Sequence, residues 1–397
     1  MGSYSEFYVK DYPVFSAKNN YYHNIAELIF LPSDYIEYQM PLKEKNSIVW
    51  GEQFLNNNDL EIVKSFKSNA KICKERLELF GANYDNAKLN FEKTIKKLIE
   101  DEAVKFLNSK NISFEFYLET IKEIINTKQK SHKNDCYIDF KEYLIQNELL
   151  IENQNISLGL WSILNVVEID STVEYDLTEV INGGWIDNNI KNEINIEKII
   201  VLTEGKTDTE FIKAGLNLFY PHLENYYHFM DFENSKYEAN ASRLVHTIKS
   251  FVGSGIKNLI IALFDNDAAA LKEINNLKKV KLPNNIKVLQ YPDIELAKNY
   301  PTIGPTGNQN MDVNGLACSI EMYLGIDCIT ENNEFLKIQW TGLVENIDKY
   351  QGVILKKEEV QKRFRQKVKN FNPNLIELDN WKELHLIINM MNNCWKT

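Results

Sequence analysis

The chain is short of the residues that build metal–thiolate, imidazole and disulfide chemistry. Its 397 residues hold five cysteines (Cys73, Cys136, Cys318, Cys328 and Cys394), an odd number with no Cys-x-x-Cys pair. A zinc site or disulfide framework is therefore not expected, and buried free thiols are. The six histidines form no His-Glu-x-x-His or similar pair. Any metal should then be held by carboxylates, which favours a hard cation such as Mg²⁺ or Mn²⁺. No Gly-x-x-x-x-Gly-Lys-Ser/Thr loop occurs, so no P-loop ATPase is expected. No uncharged apolar run is long enough to span a membrane. The first residues lack a basic and an apolar region, so a signal peptide is not expected and the protein is read as cytoplasmic. Arginine is scarce too, with only Arg76, Arg243, Arg363 and Arg365.

What is present is an ordinary globular composition, 44% hydrophobic and 25% charged, with a net charge of −11. The length suits two or three domains. The acidic balance argues against non-specific coating of nucleic acid, though a local basic groove remains compatible with it.

Residues 58–150 read as helical. Leu60, Val63, Phe66, Ala70, Cys73 and Leu77 follow three-and-four spacing, and Gly81 can end that helix. Further helices are expected over 86–108 and 115–129. Residues 1–190 are thus read as one mostly helical domain. From Lys198 the character changes. Short apolar strands at 198–203, 258–264 and 286–290, with a further candidate near 226–232, alternate with helical stretches. This pattern predicts an α/β domain, a parallel sheet flanked by helices, over 191–330. Residues 291–314 read as a long loop, 315–324 as a helix, and 331–397 as a helical C-terminal region.

Carboxylates sit where such a sheet binds ligands, at the C-terminal ends of strands. Glu204 ends one strand and Asp208 follows four residues later. Asp265 and Asp267 end another. Four carboxylates in one crevice repel each other unless a cation intervenes, and a hydrated divalent ion suits them. A local alternative stays open. Thr207-Asp208-Thr209-Glu210 is a capping-box pattern, and Asp265 or Asp267 could simply cap the following helix.

Leu202-Thr203-Glu204-Gly205-Lys206-Thr207-Asp208, followed by Phe264-Asp265-Asn266-Asp267-Ala268-Ala269, resembles the Toprim domain of topoisomerases, primases and OLD-type nucleases. The Glu-Gly-x-x-Asp form is closest to the nuclease branch. Met1-Gly2-Ser3-Tyr4, the 300–307 segment, the stretch from Asp312 to Leu324, Tyr350-Gln351-Gly352 and Gln361-Lys362-Arg363-Phe364 resemble HEPN/Toprim-associated proteins. The resemblance implies a metal-dependent nuclease, of a kind linked to prokaryotic anti-phage defence. It implies Glu204, Asp265 and Asp267 as catalytic residues and metal ligands, with Asp208 and Glu321 as further ligands and Lys206 contacting the scissile phosphate. Ser319, Asp293 and Glu295 are lesser candidates for the same crevice. HEPN ribonucleases also carry an Arg followed a few residues later by a His. The nearest pair here, Arg243 and His246, is too tight, so no HEPN-type ribonuclease site is expected.

The stretch 356–369 holds seven basic and two acidic residues. Leu355, Val360, Phe364, Val368 and Phe371 would form its buried stripe. Lys362, Arg363, Arg365 and Lys369 are then candidates for phosphate contacts, or for a solvated face or an acidic protein partner. Expected partners are nucleic acid, DNA or RNA including tRNA, and a protein partner or second copy, with no membrane. The competing expectation is a non-enzymatic sensor or assembly module on the same fold.

Overall fold

A computed structural model describes residues 2–99, 112–130, 139–151, 153–230, 240–372 and 380–396. The chain divides into two compact units, Met1–Ile196 with Trp395–Thr397, and Glu197–Cys394. The expected separate C-terminal region is thus not a unit of its own: residues 331–394 belong to the second unit.

The first unit is not mostly helical. A five-stranded antiparallel sheet forms from β1 (Tyr4–Val9), β2 (Tyr12–Lys18), β3 (Tyr35–Pro41), β4 (Leu60–Asn69) and β5 (Thr172–Asp176), in the order β2-β1-β5-β4-β3. Described helices around it are α1 (His23–Ile29), α2 (Ala70–Glu78), α3 (Tyr84–Ile99), α4 (Phe114–Thr127), α5 (Phe140–Gln146) and α6 (Ile156–Asn165). The expected single helix over 60–80 is a strand and then a helix. Val63 and Phe66 satisfy helical spacing, but Asn69 caps α2 by accepting from the Ile72 N–H at 2.9 Å. Everything before that cap joins the sheet. Of the two other expected helices, 115–129 corresponds to α4, and 86–108 corresponds to α3 as far as residue 99; its remainder lies outside the described residues.

One sheet face is apolar. Phe7, Val9, Phe66, Val173 and Tyr175 are fully buried with the helices. Phe7 stacks on Phe15 at 4.6 Å, and Tyr175 meets Phe7 edge-on at 5.6 Å. Arg76, 1% exposed, donates to the Ile29 carbonyl at 2.8 Å and pairs with Asp34, so this rare arginine is a structural residue.

The second unit contains the expected parallel sheet. Its strands β6 (Ile199–Leu202), β7 (Tyr227–Phe229), β8 (Ile260–Phe264) and β10 (Ile286–Gln290) lie in the order β10-β8-β6-β7, all parallel; β9 (Asn266–Asp267) follows β8 directly. Helices α7 (Lys206–Phe219), α8 (Ala241–Ser254) and α9 (Ala268–Leu277) connect them. Leu202, Ile260, Ala262 and Phe264 share a core with α8 and α9. Strand alternation turns Val201, Ile261 and Leu263 to the opposite face, where they are equally buried, so both faces are covered.

The expected loop 291–314 contains a hairpin, β11 (Tyr300–Gly304) and β12 (Gly307–Met311). The segment expected as a helix over 315–324 is instead β13 (Ala317–Cys318) and one 3₁₀ turn, Ile320–Tyr323. The C-terminal region adds β14 (Ile338–Val344) and β15 (Lys349–Ile354), which complete a second sheet, β12-β11-β14-β15. Gln, Asn, Thr and Gly along these strands hide the usual strand composition. Two helices end the unit, α10 (Lys357–Lys369) and α11 (Lys382–Asn393). Gly215 allows α7 to meet α11: a Cβ there would lie 2.7 Å from Leu384. The four described cysteines are free and buried; Cys136 lies outside the described residues.

Candidate functional site

Glu204 leaves the end of β6, and Asp265 and Asp267 follow β8. Parallel pairing of these neighbouring strands brings the three together. The Asp265 N–H donates to Glu204 Oε1 at 2.9 Å. Asp208 lies in the first turn of α7 and accepts from the Tyr291 hydroxyl at 3.0 Å. β13 pairs antiparallel with β9, Ala317 opposite Asp267, which delivers the next turn and its fully buried Glu321. Burial first, and then repulsion from Asp208, Glu204, Asp267 and Glu321, pushes Asp265 well above the ordinary carboxylate range. All five carboxylates expected as metal ligands therefore lie close enough to interact electrostatically at the C-terminal edge of the sheet.

The capping alternatives divide. α7 begins after Gly205 with no side-chain cap, so the capping-box pattern around Asp208 is unused. Asp267 does cap α9, accepting from the Ala270 N–H at 2.7 Å, while its other oxygen takes a 2.7 Å bond from Gln351. Asp265 has no such duty: its Oδ1 is shielded from solvent and has no hydrogen-bond partner among the described residues. An unpaired buried carboxylate oxygen costs on the order of 1–3 kcal/mol or more.

Burial and mutual repulsion push the acids up. Burial, then Asp267 and Asp208, raises Glu204 to about 8 against the opposing Asp265 N–H. Burial, then Glu321, raises Asp208 to about 6. Burial lifts Asp265 well above the ordinary range, and Asp267 rises for the same reason. Among the described residues, the half-exposed Lys357 answers them: its Nζ lies 3.2 Å from Glu321 Oε2. Burial depresses Lys357, but Glu321 and Asp265 outweigh this and hold it charged. Glu321 also accepts from Ser319 and Gln361, each at 2.7 Å. Ser319 thus orients a carboxylate in this structure.

Among the described residues, no three His, Cys, Asp or Glu side chains stand arranged as a ready-made metal site. Each of the five except Asp265 is turned toward a donor. The donor set still fits a hard cation, because hard oxygen ligands predominate and one buried oxygen is orphaned.

The other two lesser candidates, Asp293 and Glu295, fall outside the cluster. Asp293 accepts from Asn266 at 2.8 Å, and Asn266 accepts from the Gly315 N–H, fixing a turn that needs Gly315 at φ +68°. Glu295 pairs with Lys298 at the surface. Lys206 is exposed on the first residue of α7.

Four residues that carry the cluster had no role in the sequence reading: Tyr291, Gln351, Lys357 and Gln361. Gln351 and Gln361 fall within the motifs quoted above, so that signal was present without an assigned purpose.

The basic helix splits in two. Arg363 donates to the Cys328 and Thr330 carbonyls at 3.2 and 2.8 Å and pairs with Glu331 at 3.1 Å. Arg365 makes two 2.7 Å bonds to Glu210. Lys362 and Lys369 are exposed and have no ion-pair partner among the described residues.

Residues 1–198 match the family model described as HEPN/Toprim N-terminal domain 1. This segment belongs to the HEPN/Toprim N-terminal domain family, which points to a nuclease-related function. The matched segment ends within two residues of the first unit's boundary. No curated protein and no solved structure matches the chain. Among the described residues, no helix is long and apolar enough to cross a membrane.

Proposed function

We propose that the second unit is a Toprim-type catalytic module that hydrolyses phosphodiester bonds in nucleic acid with Mg²⁺ or Mn²⁺. The observation that carries this reading is the imbalance in the crevice. Among the described residues, five carboxylates gather around Lys357, and Asp265 keeps an oxygen with no hydrogen-bond partner. Acids gathered at a sheet's C-terminal edge in excess of their partners are costly unless a ligand uses them.

Glu204, Asp208, Asp265 and Asp267 would hold the ion, with Glu321 as a further ligand. A divalent ion there supplies an activated water and offsets charge on the phosphoryl oxygens. Gln351 and Tyr291 hold Asp267 and Asp208 in orientation. Lys357 pairs with Glu321, and Lys206 stands at the helix start, where a phosphate would meet positive charge. On this reading the activity serves prokaryotic defence, with nucleic acid as substrate and a protein partner or second copy as regulator.

One observation favours the non-enzymatic alternative. Lys357 already occupies part of the crevice, as a fixed internal cation would in a pure binding module. Cleavage assays on supercoiled plasmid, single-stranded DNA and total tRNA, each with Mg²⁺ or Mn²⁺, separate the two. Catalysis predicts metal-dependent cleavage of at least one substrate, absent in Asp265→Ala. No cleavage of any substrate with either metal contradicts it.

A further inference from the structure

Beside the acidic cluster, the second sheet of the same unit holds a cavity of about 580 Å³ lined by Gly304, Met311, Leu316, Trp340, Lys349 and Tyr350, among others. That volume suits one small planar group. Its principal ring is deliberately seated. A Cβ on Gly304 would approach Trp340 to 3.1 Å, and one on Gly352 would meet the other side of the indole at 3.1 Å. The two glycines therefore cradle the indole. Its N–H has no hydrogen-bond partner among the described residues. Trp340 and Tyr350 meet edge-on at 6.5 Å with planes 69° apart, so the two rings are not stacked on each other. Tyr350 is 58% exposed and Met311 40% exposed, an unusual apolar content for a rim.

This cavity is tied to the carboxylates through the backbone. Leu316 lines it and also bridges to Asp267. Tyr350 and Lys349 line it, and the next residue, Gln351, donates to Asp267 Oδ2 at 2.7 Å. Neighbouring residues of one strand thus hold an aromatic pocket and a carboxylate of the cluster.

We infer that this cavity takes an unstacked nucleobase of the nucleic acid whose backbone lies at the acidic cluster. The site then prefers single-stranded or locally unpaired substrate. The inference rests on the nuclease reading. The chemistry is base-on-indole stacking, edged by Tyr350, with the free indole N–H available to a base acceptor and Lys349 to a neighbouring phosphate. A base buried in a Watson–Crick stack cannot reach an indole set into a sheet face, so duplex must first open.

The test is binding, read without cleavage. The full chain, in EDTA, is titrated into a short single-stranded oligonucleotide carrying one 2-aminopurine, and into the same strand annealed to its complement. Stacking on Trp340 quenches 2-aminopurine fluorescence. The expected result is a quench with single strand that weakens on annealing. Trp340→Ala should lose the quench and about tenfold or more in affinity, while Trp340→Phe, which keeps a ring, retains most of both. An unchanged thermal melt in both variants excludes misfolding. Equal quench and affinity in wild type and Trp340→Ala overturn the pocket even if the protein cleaves nucleic acid. Trp340-dependent quenching with no cleavage under any metal supports the pocket and places the failure in the nuclease reading.

Discussion

Both units bury carboxylates on a sheet, and they treat them differently. On the polar face of the first sheet, Glu174 accepts from Ser65 at 2.7 Å and Tyr38 at 2.9 Å and pairs with Lys67 at 3.0 Å. Asp176 accepts from the Thr178 N–H at 2.9 Å, and Lys45 pairs with Glu61 at 2.9 Å. Glu6, opposite Asp176, is 7% exposed and its carboxylate has no partner among the described residues. Burial, then Asp176, raises it to about 8, so near neutral pH it is carried largely protonated. The first unit resolves its acids with local donors, two lysines and one proton. In the second unit five acids converge on one lysine among the described residues, Glu204 and Asp265 are both pushed up, and Asp265 Oδ1 has no partner among those residues. Acids that already have partners hold a fold together. Acids gathered in excess of their partners indicate a ligand.

The sharpest way to break that contrast is to remove the surplus. Asp265→Ala should abolish metal-dependent cleavage, by roughly a hundredfold or more, and leave the melting temperature unchanged or higher, because repulsion is relieved. Cleavage within a few fold of wild type, or a marked loss of stability, would show that Asp265 is a structural acid like Glu174.

How much of this could be seen in the sequence differs between the units for the same reason. The parallel sheet and Glu204, Asp208, Asp265 and Asp267 stand out because strands buried on both faces read as continuous apolar runs, with the acids directly at their ends. The first unit's sheet is antiparallel and half-polar. Val63 and Phe66 fit a helix as well as a strand, and only the Asn69 cap decides. Tyr291, Lys357 and Gln361 reach the crevice from segments distant in sequence, so no local spacing could mark them. Arg363 looked like a phosphate contact because its two carbonyl acceptors lie 33 and 35 residues away.

The second way to test the contrast uses pH. Because Glu6 has a higher pKa folded than the ordinary value of 4.5, its contribution favours the folded state at low pH. It is lost progressively as pH rises from about 4.5 to about 8. Glu6→Gln keeps the neutral form at every pH. It should therefore gain stability over wild type as pH rises from 5 to 8, by on the order of 2–4 kcal/mol at most. Thermal melts across that range check this, and a constant difference between the two proteins would show that Glu6 is already satisfied.

The smallest effects lie on α10. Arg363→Gln should cost roughly 1–3 kcal/mol of stability by leaving two carbonyls without their donor. Lys362→Gln with Lys369→Gln should leave stability unchanged. If both lysines contact duplex phosphates, that double variant lowers the slope of log affinity against log salt by about two. Binding isotherms at several salt concentrations, with cleavage disabled by Asp265→Ala, decide this, and an unchanged slope assigns the lysines to a solvated face.

The claim that the crevice is built for a divalent ion is tested most directly by calorimetric melting of the full chain with and without Mg²⁺ or Mn²⁺. The account predicts that saturating metal raises the melting temperature of the wild type and not that of Asp265→Ala, whose apo form melts no lower than wild type. Melting temperatures indifferent to both metals, or raised equally in the two proteins, would contradict it.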